Sequence, residues 1–427
     1  MYFKRNISND LENWKNHPNR KPLIVMGARQ VGKTTTIKTF AENHFSDMAY
    51  FNFERQPEIH SFFQQSKDPQ RIITNLSLIH GKEIEPKKTL LVFDEVQDCR
   101  DALIALKYFQ EETPEYAIIA AGSLLGITLG NDRSFPVGKV AFMDIYPLSF
   151  SEYLSTVDEK HYKIYLHVIN ENKIDQLPDA FFNPLMDIFK QYLISGGMPE
   201  VAAHFAVSKN LEQTQEIQDQ ILRSYQMDFA KHTDSATATR IQYVWDSLPA
   251  QLSKENKKFL YSVIKTGARA RSYEDAITWL EQAGLVAKIY RIKKPGLPLS
   301  AYRDLSAFKL YMLDIGLLQR MARLDPTVHI AGNSFFTEFK GAIAENYVAQ
   351  CFQRLFSDTP GYWTSKGQAE VDFLIPNHSK IFPVEVKSGM VTKSKSLLVY
   401  QQKFILNSFL LLIATVFKMF LNKGFVI

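Results

Sequence analysis

The chain has 427 residues and a formal net charge of +5, with 45% hydrophobic and 22% charged residues. This length exceeds a single ordinary core, so we predict two or three domains in a soluble globular protein that is only weakly basic. Its two cysteines, Cys99 and Cys351, lie far apart and exclude a disulfide framework or a cysteine-rich zinc site. The polar N-terminus resembles no signal peptide, so we expect a cytoplasmic protein.

The most apolar run, residues 404–421, is slightly short for a membrane helix and is interrupted by Asn407, Ser408 and Lys418. We therefore expect a buried strand or helix there and no stable membrane association. A membrane anchor is the alternative.

Short apolar runs alternate with helical patterns over residues 1–150. The runs cover residues 22–26, 48–53, 89–93 and 117–121. Strands that alternate with helices predict a mostly parallel sheet with helices on both faces. We expect an α/β domain with this sheet as its core.

A glycine-rich segment lies between the first predicted strand and a predicted helix at residues 33–42. Residues 27–34 read Gly-Ala-Arg-Gln-Val-Gly-Lys-Thr and match the phosphate-binding pattern G-x-x-x-x-G-K-[ST]. Its backbone N–H groups would surround phosphates, Lys33 would reach the β- and γ-phosphates, and the Thr34 hydroxyl would ligate Mg²⁺. The predicted nucleotide-binding residues are Gly27, Ala28, Arg29, Gln30, Val31, Gly32, Lys33, Thr34 and Thr35.

Two further strand ends carry polar residues. The run Leu-Leu-Val-Phe ends in Asp94 and Glu95, which predicts a carboxylate that holds Mg²⁺ and a second one that polarises the attacking water. Ser123 follows the run at 117–121 and would sense the γ-phosphate or the attacking water. A helix cap is the alternative role for Ser123.

Residues 151–330 are mostly helical in pattern. A predicted helix at 272–282, a stop at Gly284 and an alternating strand at 285–292 indicate a winged helix at about 254–295. Basic residues near it could bind a phosphate backbone, and a solvated or intersubunit face is the alternative. These residues are Lys257, Lys258, Lys265, Arg269, Arg271, Lys288, Arg291, Lys293 and Lys294.

Residues 331–427 form a third predicted α/β unit, with a helix at 340–356 and strands at 370–375 and 382–387. Glu345 lies on the helix, Asp372 on the first strand, and Glu385 and Lys387 on the second. The order resembles the PD-(D/E)-x-K pattern, in which the three carboxylates would bind Mg²⁺ or Mn²⁺ and the lysine would orient water. An ordinary cluster of salt bridges is the alternative.

Several segments together resemble one family. They are residues 27–35, Phe-Asp-Glu-Val-Gln at 93–97, Tyr-Pro-Leu-Ser-Phe at 146–150, Ser-Gly-Gly-Met-Pro-Glu at 195–200 and Lys-Leu-Tyr-Met-Leu-Asp-Ile-Gly-Leu-Leu at 309–318. The chain resembles, to about Gln402, the bacterial and archaeal AAA-like ATPases that carry a C-terminal domain of unknown function. The resemblance implies ATP as nucleotide, a P-loop core, a helical and winged-helix middle, and a restriction-endonuclease-like C-terminal α/β domain.

Two departures from the family stand out. Gly138-Lys139 replaces a Gly-Arg pair, which puts a γ-phosphate contact there in doubt. After Gln402 an apolar run replaces the expected polar strand and turn, and a shifted reading frame is our hypothesis.

Three functions are compatible with the sequence. The first is an ATPase that acts on DNA, in which the nuclease-like C-terminal domain binds DNA, with or without cutting it. The second is a regulatory ATPase switch whose C-terminal domain is a non-catalytic protein-interaction module. A membrane-tethered ATPase is the third, and homo-oligomers are compatible with each.

Overall fold

The structure is a computed structural model. It describes residues 1–123, 125–127, 138–171, 177–331, 337–356, 359–365, 369–387, 395–404 and 410–413. The chain divides into two compact units. The N-terminal unit consists of residues 4–147 and 282–284, and the C-terminal unit consists of residues 1–3, 148–281 and 285–427. The domain boundaries expected near residues 150 and 330 stay predictions.

Within the described residues, the N-terminal unit contains a sheet of five strands in the order β2-β3-β4-β1-β5, and every adjacent pair is parallel. The strands are β1 (Leu23–Met26), β2 (Asp47–Asn52), β3 (Thr89–Asp94), β4 (Ala117–Ala121) and β5 (Ala141–Asp144). This confirms the predicted α/β core. The carboxyl ends of parallel strands share one edge, so the phosphate-binding loop, Asp94 and Ser123 lie at that edge.

The strand β5 is absent from the sequence prediction. It is a short edge strand beside β1, and its residues alternate between partly buried and exposed, with Phe142 49% exposed. The strands β3 and β4 are buried throughout, which gives the continuous apolar runs that the sequence shows. A half-exposed strand of four residues has no such run.

Five helices of the N-terminal unit are α1 (Ile7–Asn16), α2 (Lys33–His44), α3 (His60–Gln65), α4 (Pro69–His80) and α5 (Arg100–Glu112). The ends of α4 follow from local chemistry, because Asp68 accepts a hydrogen bond from the Gln70 N–H and Gly81 ends the helix at a φ of 75°. The helices bury apolar side chains such as Ile72, Leu106 and Phe109 in one core with the sheet.

The first part of the C-terminal unit is helical. Its helices are α6 (Phe150–Val157), α7 (Glu159–Asn170), α8 (Asp179–Ser195), α9 (Pro199–Ser208), α10 (Leu211–Lys231) and α11 (Ser235–Leu252). Ser149 starts α6 through a capping box: its hydroxyl accepts from the Glu152 N–H at 3.1 Å, and its own N–H donates to the Glu152 carboxylate at 2.7 Å. The serine of the Tyr-Pro-Leu-Ser-Phe segment is thus a helix cap.

The second part of this unit carries a mixed sheet of six described strands in the order β11-β10-β9-β8-β6-β7. They are β6 (Val286–Ile292), β7 (Arg303–Met312), β8 (Gly361–Thr364), β9 (Glu370–Asn377), β10 (Lys380–Lys387) and β11 (Leu410–Ile413). Its helices are α12 (Tyr261–Ile264), α13 (Glu274–Gln282), α14 (Ile315–Met321), α15 (Val328–Ala331), α16 (Thr337–Leu355) and α17 (Lys395–Phe404). The hairpin β6–β7 joins β8 through the parallel pairs Tyr290–Gly361 and Arg291–Tyr362. The strand pair of the middle region and the C-terminal strands therefore share one sheet.

Two segments of the family pattern meet inside the C-terminal unit. The buried Asp314 carboxylate accepts from the Gly197 N–H at 2.6 Å and from the Leu317 N–H at 3.0 Å, so it caps α14 and ties it to the glycine pair. A Cβ on Gly196 would lie 2.2 Å from Asp314 Oδ1, and one on Gly316 would lie 2.6 Å from the Ser195 carbonyl oxygen. These glycines are needed for close backbone contact.

Among the described residues, no helix is long and apolar enough to cross a membrane. Most of the apolar run at 404–421 lies outside the described residues. Its described part ends α17 at Phe404 and forms β11, which pairs with β10 in parallel.

Candidate functional site

The phosphate-binding loop joins the end of β1 to the start of α2. Gly27 has a φ of 142°, and a Cβ there would lie 2.2 Å from the Ile145 carbonyl oxygen. Gly32, with a φ of 93°, directly precedes α2. Residues that carry a side chain rarely adopt these φ angles, so both positions depend on glycine. The loop therefore presents backbone N–H groups and a helix N-terminus at the carboxyl edge of the sheet.

Arg5, which the sequence analysis did not single out, holds this loop in place through two hydrogen bonds. The buried guanidinium donates from Nη1 to the Val31 carbonyl at 2.8 Å and from Nη2 to the Tyr146 carbonyl at 2.5 Å. One planar fork thus holds the loop against the chain that follows β5. The two contacts span 26 and 141 residues of sequence, so no local pattern indicates them.

Lys33 is buried beneath the loop. Its ammonium donates to the Gly27 and Ala28 carbonyls, both at 2.8 Å, and the residue is 7% exposed. Burial lowers the pKa of Lys33 to about 8, although the nearby Glu95 and Asp94 carboxylates act in the opposite direction. The lysine is therefore held at the loop, with a proton that it loses more easily than an exposed lysine does.

The structure brings the hydroxyl of Thr34 and the carboxylate of Asp94 together. Thr34 Oγ1 donates to Asp94 Oδ2 at 2.9 Å, and the same oxygen accepts from the Tyr50 hydroxyl at 2.5 Å. Tyr50 lies on β2 opposite Val92 of β3, so the sheet register places it beside Asp94. Burial and the contact with Asp94 raise the pKa of Tyr50 to about 12, which keeps its hydroxyl a donor.

Glu95 and Ser123 lie at the ends of the adjacent strands β3 and β4, and each has a polar neighbour. Glu95 adopts a left-handed backbone with a φ of 51°, and its carboxylate accepts from Gln97 Nε2 at 2.6 Å. Arg29 Nε donates to the Ser123 hydroxyl at 3.2 Å. The structure thus links the loop to Ser123 through Arg29. Gln97 is a further residue that the sequence analysis missed, although it stands two positions after Glu95.

The remaining predicted positions are less constrained. Ala28 and Val31 are buried, whereas Gln30, at a φ of 64°, and Thr35 are exposed. Lys139 forms an ion pair with Glu111 at 2.8 Å and is 43% exposed, as expected for a surface lysine rather than a phosphate ligand.

These residues fit a magnesium nucleotide. The glycine angles open the loop to phosphates, an ammonium lies beneath it, and a hydroxyl and a carboxylate oxygen stand 2.9 Å apart at its side. Oxygen ligands of this kind are those that Mg²⁺ prefers. The donor set therefore suits both groups that the sequence predicts.

The C-terminal motif residues lie together on β9 and β10. Asp372 Oδ2 accepts from the Val386 N–H at 2.7 Å, and Lys387 Nζ donates to Glu385 Oε1 at 2.5 Å. Asp372 and Glu385 are both buried. Burial, and next the nearby Glu345 carboxylate, raise the pKa of Asp372 well above its usual range.

Lysines that the sequence analysis did not assign to this cluster neutralise it. Lys309 of β7 is fully buried, and its ammonium contacts Glu370 Oε1 and, at 3.5 Å, Glu345 Oε2. Lys257 lies 2.5 Å from Glu345 Oε1, and the Tyr311 hydroxyl donates to Glu345 Oε2 at 3.1 Å. No group of three or more His, Cys, Asp or Glu side chains suited to a metal occurs in the part of the chain that the structure describes. The metal role of Glu345, Asp372 and Glu385 stays a prediction.

The basic residues near α13 differ in exposure, and Lys258 and Lys288 are partly buried. Lys257 is paired with Glu345, and Arg291 Nε donates to the buried Asp304 at 3.1 Å, so both serve internal ion pairs. The exposed members are Lys265, Arg269, Arg271, Lys293 and Lys294. The predicted helix and strand appear here as α13 and β6, whereas the winged-helix assignment stays a prediction. Trp279 is 6% exposed and packs edge-on against Phe229, so it belongs to the core.

Three family models match the chain in sequence. Residues 19–154 match an AAA domain, residues 186–328 match a domain of unknown function (DUF8612), and residues 340–414 match another domain of unknown function (DUF4143). The last match runs past Gln402 to residue 414, and the shifted reading frame stays a hypothesis. No curated protein matches the chain significantly in sequence.

Solved structures show remote likeness. A Walker-type ATPase of Pyrococcus abyssi has 14% identity and a TM-score of 0.46, over 75% of this chain and 96% of that one. The Aeropyrum pernix Orc1 protein in complex with DNA has 10% identity and a TM-score of 0.26, over 75% and 91%. Cdc6p from Pyrobaculum aerophilum has 12% identity and a TM-score of 0.27, over 76% and 95%. Likeness at this level assigns no activity.

The family match at residues 19–154 covers the parallel sheet, the phosphate-binding loop and the Thr34–Asp94 pair. This part of the chain has a P-loop NTPase-like fold and matches an AAA domain in sequence.

Proposed function

We propose that this chain hydrolyses ATP with Mg²⁺ at the loop formed by residues 27–35. We also propose that the protein acts on DNA or that its ATP hydrolysis responds to DNA. The observation that carries the ATPase site is the convergence of Lys33, Thr34, Asp94 and Glu95 at one sheet edge. This convergence supports the residue roles below.

Each residue has a distinct task in the proposed reaction. Lys33 would turn from the Gly27 and Ala28 carbonyls to the β- and γ-phosphates, and the loop N–H groups would bind the remaining phosphate oxygens. Thr34 and Asp94 would hold the magnesium, and Tyr50 would keep the Asp94 carboxylate in place. When bound, the metal neutralises charge on the transferred phosphoryl group.

Hydrolysis also needs a water aligned with the γ-phosphate. Glu95 would orient this water and accept its proton, with Gln97 fixing the carboxylate. Ser123, bound to Arg29, would sense the γ-phosphate from the end of β4. Each contact within the chain that these roles require lies within hydrogen-bond distance.

Nucleotide affinity is expected to fall as pH rises above about 8. Phosphates favour the protonated Lys33, so binding takes up a proton wherever the free lysine is neutral. Below a pKa of about 8 the lysine is already charged and affinity is constant. Above it the dissociation constant rises by up to about tenfold per pH unit.

The measurement is titration of a slowly hydrolysed ATP analogue by calorimetry between about pH 7.5 and about pH 9.5. Lys33→Arg is the control, because a guanidinium stays protonated throughout this range. A wild-type affinity as flat with pH as that of Lys33→Arg would contradict the lysine assignment.

The proposal of a DNA partner rests on the exposed basic residues of the C-terminal unit. Lys265, Arg269 and Arg271 precede α13, and Lys293 and Lys294 follow β6. Exposed lysine and arginine side chains bind a phosphate backbone with a strong salt dependence. The second candidate is a regulatory switch whose C-terminal unit binds protein, which the internal neutralisation of the carboxylate cluster favours. Self-association in either case stays a prediction.

The test is ATP hydrolysis with and without single- and double-stranded DNA at two salt concentrations. The DNA-acting ATPase predicts stimulation that falls with salt and is lost in Arg269→Glu/Arg271→Glu. The matched control is Lys160→Glu/Lys163→Glu, which makes the same charge change on the exposed face of α7. Turnover that ignores DNA would transfer the proposal to the regulatory switch.

A further inference from the structure

The carboxylate cluster of the C-terminal sheet contains its own cations. Lys309 lies on β7, and its ammonium contacts carboxylates from two other elements: Glu345 of α16 and Glu370 of β9. Lys257 contacts the other oxygen of Glu345 at 2.5 Å. Both oxygens of Glu345 therefore face an ammonium, and the Tyr311 hydroxyl adds a third donor.

The lysine of β7 is fixed in place. Lys309 has no exposed surface, and its ammonium lies 5.0 Å from the centre of the Tyr362 ring. A buried ammonium without carboxylate partners is strongly unfavourable, so Lys309 cannot leave the cluster while the sheet stays folded. The ammonium of a surface lysine, in contrast, would turn readily into solvent.

The remaining carboxylates are also engaged. Asp372 Oδ2 accepts from the Val386 N–H, and Glu385 Oε1 accepts from Lys387. Glu385 Oε2 is the buried oxygen of this cluster that has no hydrogen-bond partner among the described residues. A divalent ion takes about six oxygen ligands in direct contact, whereas both oxygens of Glu345, Asp372 Oδ2 and Glu385 Oε1 already bind N–H or O–H donors.

We propose that the Lys309 ammonium takes the place of a divalent cation in this cluster, so that the C-terminal sheet keeps a nuclease-like arrangement of carboxylates without binding a catalytic metal. An ion among these carboxylates would lie within a few ångströms of a fixed positive charge that it repels. The cluster then stabilises the junction of β7, β9 and α16 and does not cleave phosphodiesters. The inference is independent of the ATPase proposal, because it concerns other residues.

The test is Mn²⁺ binding to the full chain, measured by electron paramagnetic resonance without nucleotide. All samples carry Asp94→Asn, which removes the carboxylate proposed to hold metal at the phosphate-binding loop. The proposal predicts that a chain with Lys309 shows no Mn²⁺ binding that depends on Asp372. In Lys309→Met, whose side chain is similar in length and uncharged, it predicts a gain of one bound Mn²⁺ that Asp372→Asn abolishes.

Lys387→Met is the matched control, since it removes a partly exposed lysine of the same cluster and should gain no Mn²⁺. Two results would overturn the proposal: Asp372-dependent Mn²⁺ binding with Lys309 intact, or a folded Lys309→Met chain that gains none. If Lys309→Met does not fold, the proposal is decided by Mn²⁺ binding in two chains that keep Lys309, one with Asp372 and one with Asp372→Asn. Mn²⁺-dependent DNA cleavage by the Lys309-containing chain that Asp372→Asn abolishes would also overturn it.

Discussion

Replacing Glu95 by Gln is expected to lower the kcat of ATP hydrolysis by roughly 10²–10⁴-fold. The amide keeps the size of the side chain and can still contact Gln97, yet it cannot accept a proton from water. Thr34 and Asp94 are unchanged, so we expect ATP binding to survive. The loss should therefore appear in kcat and not in the dissociation constant of the nucleotide.

A matched control lies three residues further along the chain. Asp98 ends the 3₁₀ helix Val96–Asp98 and is exposed, so Asp98→Asn removes a neighbouring carboxylate without touching the site. It should retain nearly the wild-type rate. Equal rates for Glu95→Gln and the wild type would refute the role of Glu95 while leaving the fold assignment intact.

Replacing Glu345 by Gln is expected to reduce the free energy of unfolding by about 3 kcal/mol or more, because it leaves buried ammonium groups short of a counter-charge. Lys309 would keep Glu370, whereas Lys257 would lose its carboxylate partner. Urea denaturation followed by tryptophan fluorescence measures the change, since Trp363 is buried in the same sheet.

The control for this prediction is Glu159→Gln on α7. Glu159 pairs with Lys163 at 2.8 Å, and both side chains are 72% exposed. Exposed pairs of this kind contribute about 0.5 kcal/mol or less, so little change is expected. Similar losses in the two variants would show that the buried cluster contributes no more than a surface ion pair.

The geometry of the predicted nucleotide site follows largely from local sequence, while the roles of its residues stay predictions. Gly27, Gly32, Lys33 and Thr34 stand within one loop and helix start, and Asp94 ends a strand that is buried throughout. Glycine angles and helix ends are properties of neighbouring residues. A contiguous pattern therefore carries most of their geometry.

The residues that support the site come from distant parts of the chain. Arg5 reaches Tyr146 across 141 residues, and Tyr50 reaches Asp94 across 44. Only the sheet register and tertiary packing bring such pairs together, so periodicity and motif spacing do not show them. The edge strand β5 was missed for a related reason, because half of it is exposed.

The sequence around Lys309 contains a pattern that indicates a buried lysine. Lys309 stands in the run Phe-Lys-Leu-Tyr-Met of β7, where neighbouring residues are apolar and buried. A lysine in such a run needs a buried counter-charge. The sequence does not reveal which carboxylates supply it, since Glu345 lies 36 residues away on a helix.

The most direct measurement of the central claim is steady-state ATP hydrolysis by the purified chain with Mg²⁺, beside Lys33→Ala and Glu95→Gln. The proposed site predicts turnover by the wild type, loss of both binding and turnover in Lys33→Ala, and loss of turnover alone in Glu95→Gln. Hydrolysis that persists in Lys33→Ala would place the activity elsewhere, and a wild-type chain that binds ATP without hydrolysing it would contradict the proposed ATPase function.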